Sequence, residues 1–219
     1  TDKERYSSDW LGQYRFEPLC VVRPASTEEV SKVVRLAGSF QVNIVPVGGN
    51  TGLNGGTHSD DAISISMERM NKICEIRLNS KIAIVEAGVI LSNLHQLVNE
   101  NDLMFPLTFG ARGSATMGGV LSTNAGGSNV LKYGNTRDLV LGVEIVLPSG
   151  EIMNLMSELH KDNSGYCLRD LVIGAEGTLG VITKAVVKLF PKPRAYATAM
   201  IAVESLDSAL ALLNELQEG

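Results

Sequence analysis

The stretch PVGGNTGLNGG, residues 46–56, holds five glycines in eleven residues and follows the apolar run VNIV at 42–45. Glycine reaches positive φ without steric cost and lets a ligand lie against the peptide plane. Successive N–H groups in such a turn converge into an anion-binding concavity. A phosphate is therefore one reading; a mobile loop, or a pair of tight turns between strands, is the other. The glycine count alone favours the second reading, loop or turns.

Working outward, the remaining glycines are also clustered. LTFGARGSATMGGVLSTNAGGS spans 107–128 and IGAEGTLGVIT spans 173–183, with ordinary apolar and helical patterns between. Three such segments in one fold suit one long ligand lying across several backbone loops, whereas a phosphate alone needs one. Known nucleotide signatures are absent. There is no GxGxxG, and a strand rather than a helix is expected after the first loop, so the dinucleotide fingerprint fails in letters and context. Neither GxxxxGK[ST] nor GxSxG occurs. The loop VGGNTG carries no Lys or Arg. A phosphate there must be held by backbone N–H groups with Asn50 and Thr51.

Periodicity supplies the frame. ASTEEVSKVVRLAGSF (25–40) reads as a helix opened by a Ser26/Glu29 capping box, with Val30, Val33, Val34 and Ala37 as its apolar stripe. Strand-like LCVVRP and QVNIVPV flank it, giving a β-α-β unit over 19–47. DAISIS alternates as a strand. ICEIRLNSKIAIVEAGV reads as a hairpin turning near Asn79-Ser80, and LVLGVEIVLPSGEIMNL as one turning at Pro148-Ser149-Gly150. LSNLHQLVNENDL is a helix with Ser92 as its expected cap. LGVITKAVVKLF is a strand stopped by PKP. Beyond it, AYATAMIAV is expected as a strand and SLDSALALLNELQ as a helix. One strand and one helix cannot bury their own apolar faces, so this end reads as the opening of a second domain.

The 219 residues are 44% hydrophobic and 20% charged, with a net charge of −5. That composition supports a real core and disfavours a general nucleic-acid binder, which shows a basic face. No apolar run reaches the roughly 20 residues of a transmembrane helix, and the polar start TDKERYSSDW lacks a secretory signal core. Three dispersed cysteines (Cys20, Cys74, Cys167) read as reduced thiols buried as small hydrophobes, in a reducing, cytoplasmic setting. Three scattered histidines (His58, His95, His160) form no metal-ligand pattern. His95 is expected as a partly exposed helix residue and His58 as a surface-turn residue.

Taken together, PVGGNTGLNGG, FPLTFGARGSATMGGVLSTNAGGSNVLKYG, LGVEIVLPSGEIM and KDNSGYCLRDLVIGAEGTLGVITKAVVKLFPKP resemble the flavin domain of the vanillyl-alcohol-oxidase/p-cresol-methylhydroxylase superfamily. The branch resembled is that of FAD-linked D-2-hydroxyacid dehydrogenases, which includes D-2-hydroxyglutarate dehydrogenase, D-lactate dehydrogenase and the glycolate oxidase D subunit. The similarity runs in order from about Leu19 to Pro193. It implies an α+β fold: a two-subdomain FAD-binding domain at 19–193, with FAD extended between the subdomains. An N-terminal extension at 1–18 precedes it, and the start of a substrate domain at 194–219 follows.

The resemblance also implies site residues. Pro46, Gly48, Gly49, Asn50, Thr51, Gly52 and Leu53 would wrap the FAD pyrophosphate, and a side chain at Gly49 is expected to block its approach. Thr108, Gly113, Ser114, Thr116, Gly118, Gly119, Thr123, Asn124 and Ala125 match the flavin-side loop and helix start. Some of these glycines also fit a role in close packing of another element. Glu176, Gly177, Gly180, Val181 and Ile182 match the ribose and adenine side, with Glu176 open to a second reading as a buried, hydrogen-bonded acid. Some members attach FAD through a His in the first loop; Asn50 and Thr51 stand there here, so non-covalent FAD is expected. The branch's histidine-rich substrate motif, resembling HPxGDGNxH, does not occur. The catalytic base is thus expected outside these 219 residues, and the chain alone is expected to be inactive. The implied reaction is hydride transfer from a D-2-hydroxyacid to the flavin, with an electron acceptor not specified and a homodimer among the allowed states. Another flavin oxidase of the superfamily (alditol or lactone oxidase type) and a non-catalytic nucleotide-binding module stay open as alternatives.

Overall fold

A computed structural model describes residues 3–218. Thr1 and Asp2 of the expected extension, and Gly219, lie outside the described residues. Two sheets organise the chain. The first contains β1 (Cys20–Val22), β2 (Asn43–Val47) and β3 (Ala62–Ser66), all parallel, in the order β1-β3-β2. Helix α1 (Thr27–Ser39) connects β1 to β2. The expected β-α-β unit is therefore present, but β3 inserts between its strands. Only long-range pairing could reveal this.

The start of α1 follows its sequence signal. The Ser26 hydroxyl accepts the Glu29 N–H at 3.3 Å, while the Glu29 carboxylate takes the Ala25 N–H at 2.7 Å. Two donors at the helix start are thus satisfied, as in a capping box shifted by one residue. Val30, Val34 and Ala37 are buried and Val33 half-buried.

The second sheet is antiparallel, in the order β4-β5-β9-β7-β8. It comprises β4 (Ile73–Arg77), β5 (Ile82–Glu86), β7 (Val140–Val146), β8 (Ile152–Leu155) and β9 (Val181–Lys188). Both expected hairpins form, and Gly150 supplies positive φ (80°) in the second turn. Helices α2 (Leu91–Asn99), α3 (Met117–Ser122) and α5 (Leu168–Val172) pack on this sheet through Leu91, Leu94, Met117, Leu121 and Val172, against Val85, Val143, Ile145 and Val187. Each fully buried aliphatic side chain there contributes about 1.5–3 kcal/mol. A short pair, β6 (Leu103–Met104) with β10 (Phe190–Pro191), and a one-turn helix, α4 (Val130–Tyr133), complete this unit.

The two units share a seam. Val30 and Val34 of α1 meet Ile65 and Met67 of the first unit and Val146 and Val181 of the second. Polar contacts reinforce it: the Ser31 hydroxyl donates to the Gly150 carbonyl at 2.5 Å, and the Thr27 hydroxyl donates to Glu144 at 2.6 Å. The N-terminal residues also pack against the first unit. Tyr6 and Phe16 are buried, and the Tyr6 hydroxyl donates to Ser66 Oγ at 3.0 Å.

Four expectations are corrected. Ser92 does not cap α2; the cap position is Ile90, without a side-chain bond, and Ser92 lies inside the helix. Residues 195–203 form no strand; no neighbouring strand among the described residues pairs with their peptide groups. Helix α6 (Leu206–Glu218) does form, with Leu206, Leu210, Leu213 and Leu216 exposed. The three cysteines are exposed rather than buried. Cys20 and Cys74 sit on the edge strands β1 and β4, and Cys167 immediately precedes α5. Finally, Glu176 is exposed, which removes the buried-acid reading.

Candidate functional site

A cleft of about 600 Å³ opens between the two units, and all three glycine-rich segments form its walls. From the first segment Pro46, Gly48, Gly49, Asn50, Thr51, Gly52 and Leu53 line it. From the second come Thr116, Gly118, Gly119, Thr123, Asn124 and Ala125, and from the third Glu176, Gly177, Gly180, Val181 and Ile182. Thr108, Gly113 and Ser114 are outside the lining. The Thr108 hydroxyl faces Arg112, and Ser114 packs behind Gly49. Lining residues that sequence reasoning passed over include Val47, Asn54, Thr57, Met67, Phe109 and Ser122. Their apolar or small polar side chains have no local signature, though all but Met67 lie inside or beside the glycine-rich segments.

Each segment places one non-glycine residue in the left-handed region at the cleft: Asn50 (φ 51°), Asn124 (φ 45°) and Glu176 (φ 51°). Such residues cost of order 1–3 kcal/mol and persist where surroundings hold them. Asn50 is held by its own amide, which donates to the Ser8 carbonyl at 2.8 Å and accepts from Thr57 Oγ1 at 2.7 Å. The Asn124 side chain accepts the Arg137 N–H at 2.9 Å. The Glu176 N–H reaches the Ser122 carbonyl at 2.9 Å.

The glycines divide by what they face. A Cβ on Gly49 would fall on the Ser114 carbonyl, and one on Gly48 on the Thr116 hydroxyl; a Cβ on Gly118 would stand 2.9 Å from that of Ala87. These positions are bare because another part of the protein occupies the space. Around Gly52 there is nothing within 4 Å, so its missing side chain leaves room in the cleft itself.

Electrostatically the wall is nearly neutral. Glu176 is the one ionisable side chain among the described lining residues. The N–H groups of residues 48–52 donate to no protein acceptor among the described residues. The Thr116 hydroxyl is buried without a partner, between Gly48 and Gly119. A diphosphate can be held in such a cradle by peptide N–H groups and hydroxyls without a lysine, and the apolar side chains of Met67, Val181 and Ile182 in the lining suit the rings of an elongated nucleotide. On these observations the residues fit FAD.

The family model for an FAD binding domain matches residues 18–156, more than half of the chain. The chain belongs to the FAD-binding-domain family. It is 41% identical over 207 residues to a D-2-hydroxyglutarate dehydrogenase of Xanthomonas citri pv. viticola, covering 94% of this chain and 44% of that protein. It is 39% identical to a D-2-hydroxyglutarate–pyruvate transhydrogenase of Saccharomyces cerevisiae, over 93% of this chain and 41% of that one. It is 41% identical to the mitochondrial D-2-hydroxyglutarate dehydrogenase of Danio rerio, over 92% and 38%. This FAD-binding domain thus spans less than half the length of these relatives. Among solved structures it superposes on alkyldihydroxyacetonephosphate synthase with a TM-score of 0.74 and 29% identity, covering 84% of this chain and 34% of that one. The resemblance to the vanillyl-alcohol-oxidase/p-cresol-methylhydroxylase superfamily therefore holds in sequence and in fold. Among the described residues no helix is long and apolar enough to cross a membrane.

Proposed function

We propose that this chain is the cofactor-holding part of an FAD-dependent oxidoreductase acting on a D-2-hydroxyacid, with D-2-hydroxyglutarate as the first substrate to test. The observation that carries the reading is the cleft walled by all three glycine-rich segments, with N–H groups at 48–52 unpaired and no cationic side chain in the lining among the described residues. The names of the relatives support the substrate class. The domain division at 19–193 and the binding roles of the named lining residues belong to the same proposal.

In this reading the peptide groups of residues 48–52 bind the diphosphate. Asn50 keeps its wall in shape through Ser8 and Thr57 rather than by spending its amide on phosphate. Gly177 and Gly180, both at positive φ, let the third segment turn against Pro46 and strand β7, and Met67, Val181 and Ile182 exclude water from the ligand's rings. When bound, FAD supplies the two-electron acceptor. Taking the hydroxyl proton needs a base within about 2.6–3.2 Å, and we assign that base to no residue of this cleft. The three exposed thiols suit a reducing compartment; we propose the cytoplasm, with the mitochondrion, in keeping with the names of several relatives, as the alternative. Acceptor and homodimeric state are part of the proposal, read by acceptor assays and sedimentation.

The test is a visible absorbance scan of the purified protein, or of the protein titrated with FAD, followed by acid precipitation. A flavin band whose colour leaves with the supernatant supports non-covalent FAD. Colour retained in the pellet contradicts the non-covalent mode, and absence of any flavin binding contradicts the reading.

A further inference from the structure

We propose that Arg137, which lies outside the cleft lining, is a positioning residue that locks the second and third walls of the cleft together; this rests on the FAD reading above. Arg137 belongs to a 3-10 turn, Thr136–Leu139, which carries its own capping box between Asn135 and Asp138. That turn grips two chain segments at once. Toward the second wall, the Arg137 N–H donates to the Asn124 side chain at 2.9 Å, and Thr136 donates to the Ala125 carbonyl through its N–H (3.1 Å) and its hydroxyl (2.7 Å). Toward the third wall, the Arg137 guanidinium donates to the Ile173 carbonyl at 2.6 Å.

Ile173 opens the tightest part of the third wall. Gly174 (φ 89°), Glu176 (φ 51°) and Gly177 (φ 81°) follow, all left-handed. The two walls are also joined directly: the Gly174 and Glu176 N–H groups donate to the Leu121 and Ser122 carbonyls at the end of α3, at 3.0 and 2.9 Å. The Leu121 carbonyl also takes the Asn124 N–H at 3.1 Å, whereas among the described residues the Ser122 carbonyl, at the helix end, accepts from Glu176 alone. Arg137 thus clamps the outside of a joint whose inside is the cleft. A Cβ on Gly174 would stand 3.1 Å from Arg137 Nη2, so the guanidinium lies directly against this turn. A planar, always-charged donor suits this role better than a lysine, because its fork is rigid. Nothing in the local sequence YGNTRDL announces it.

The experiment compares wild type, Arg137→Met and Arg137→Lys, each without and with FAD. Arg137→Met keeps the backbone bond to Asn124 and loses the one to Ile173. It should raise the FAD dissociation constant roughly tenfold or more, the scale of losing a hydrogen bond from a charged donor. Arg137→Lys should restore part of the affinity. Hydrogen exchange in the FAD-free protein should quicken at the amides of 174–177 in Arg137→Met while the amides of β5 stay protected, a pattern that a general loss of stability does not produce. Unchanged affinity, or exchange quickened evenly across the sheet, would overturn the inference. Wild type that binds no FAD would instead overturn the reading on which it rests.

Discussion

The Thr27 hydroxyl donates to Glu144 Oε1 at 2.6 Å, joining the first turn of α1 to strand β7 across the seam between the two units. The same carboxylate oxygen accepts from Thr183 Oγ1 at 2.8 Å and lies 3.1 Å from Lys184 Nζ. Burial pushes the Glu144 pKa up, but the bonds from Thr27, Thr183 and Lys184 outweigh it and hold the pKa below the ordinary carboxylate range. A depressed folded-state pKa means that the stabilisation is fully present above the unfolded value, about 4.3, and is lost as pH falls through the folded one. Glu144→Gln should therefore lower stability near neutrality by about 1–3 kcal/mol and flatten the acid limb of the urea-midpoint profile. An acid limb unchanged in Glu144→Gln would remove Glu144 as its cause.

His95 sets a second, higher window. Its Nε2 is buried without a partner on α2, and its ring lies 6.4 Å from that of Phe105. Burial, aided by the nearby Arg112 charge, lowers its pKa against the opposing backbone carbonyls of Leu107 and Phe105. The neutral ring is the one that fits, so stability should begin to fall as pH drops below about 6.5. NMR titration of the imidazole should show a midpoint below that value, and His95→Phe should remove the upper step of the profile while leaving the Glu144 step.

Gly49 and Gly52 should respond differently to the same substitution. At Gly49 the new Cβ meets the Ser114 carbonyl, so Gly49→Ala should destabilise the FAD-free protein by about 1–3 kcal/mol, as overpacking does. Gly52→Ala meets no atom within 4 Å and should leave the FAD-free melting temperature unchanged, yet weaken FAD binding if the diphosphate lies against it. Thermal melts and FAD titrations of both variants separate the two roles. Equal melting temperatures for the pair would contradict the packing role of Gly49.

Thr116→Val removes a buried hydroxyl that has no partner. Losing an unsatisfied polar group should leave the FAD-free protein equally or more stable. If the hydroxyl turns to a bound ligand, FAD affinity should drop at the same time, by several-fold. A calorimetric titration set beside a urea curve reads both signs, and a loss of stability without FAD would show that the hydroxyl already has a partner.

Much of this protein was legible along the chain because the signals are local. The Ser26/Glu29 start of α1, both hairpin turns and the stop at 191–193 each depend on residues a few positions apart. The glycine-rich segments likewise announced cleft walls before any fold was known. What tertiary structure alone decided depends on pairs far apart in sequence. The placement of β3 between β1 and β2, the exposure of Cys20 and Cys74 on edge strands, and the absence of a strand at 195–203 all follow from which peptide groups find neighbours. The same holds for the glycines: that Gly49 is bare for Ser114, and Gly52 for open space, cannot be read from two identical letters in one loop. Periodicity determines the elements because a side chain's direction is set by its own backbone; what fills the space beside Gly49 is set by Ser114, 65 residues further along the chain.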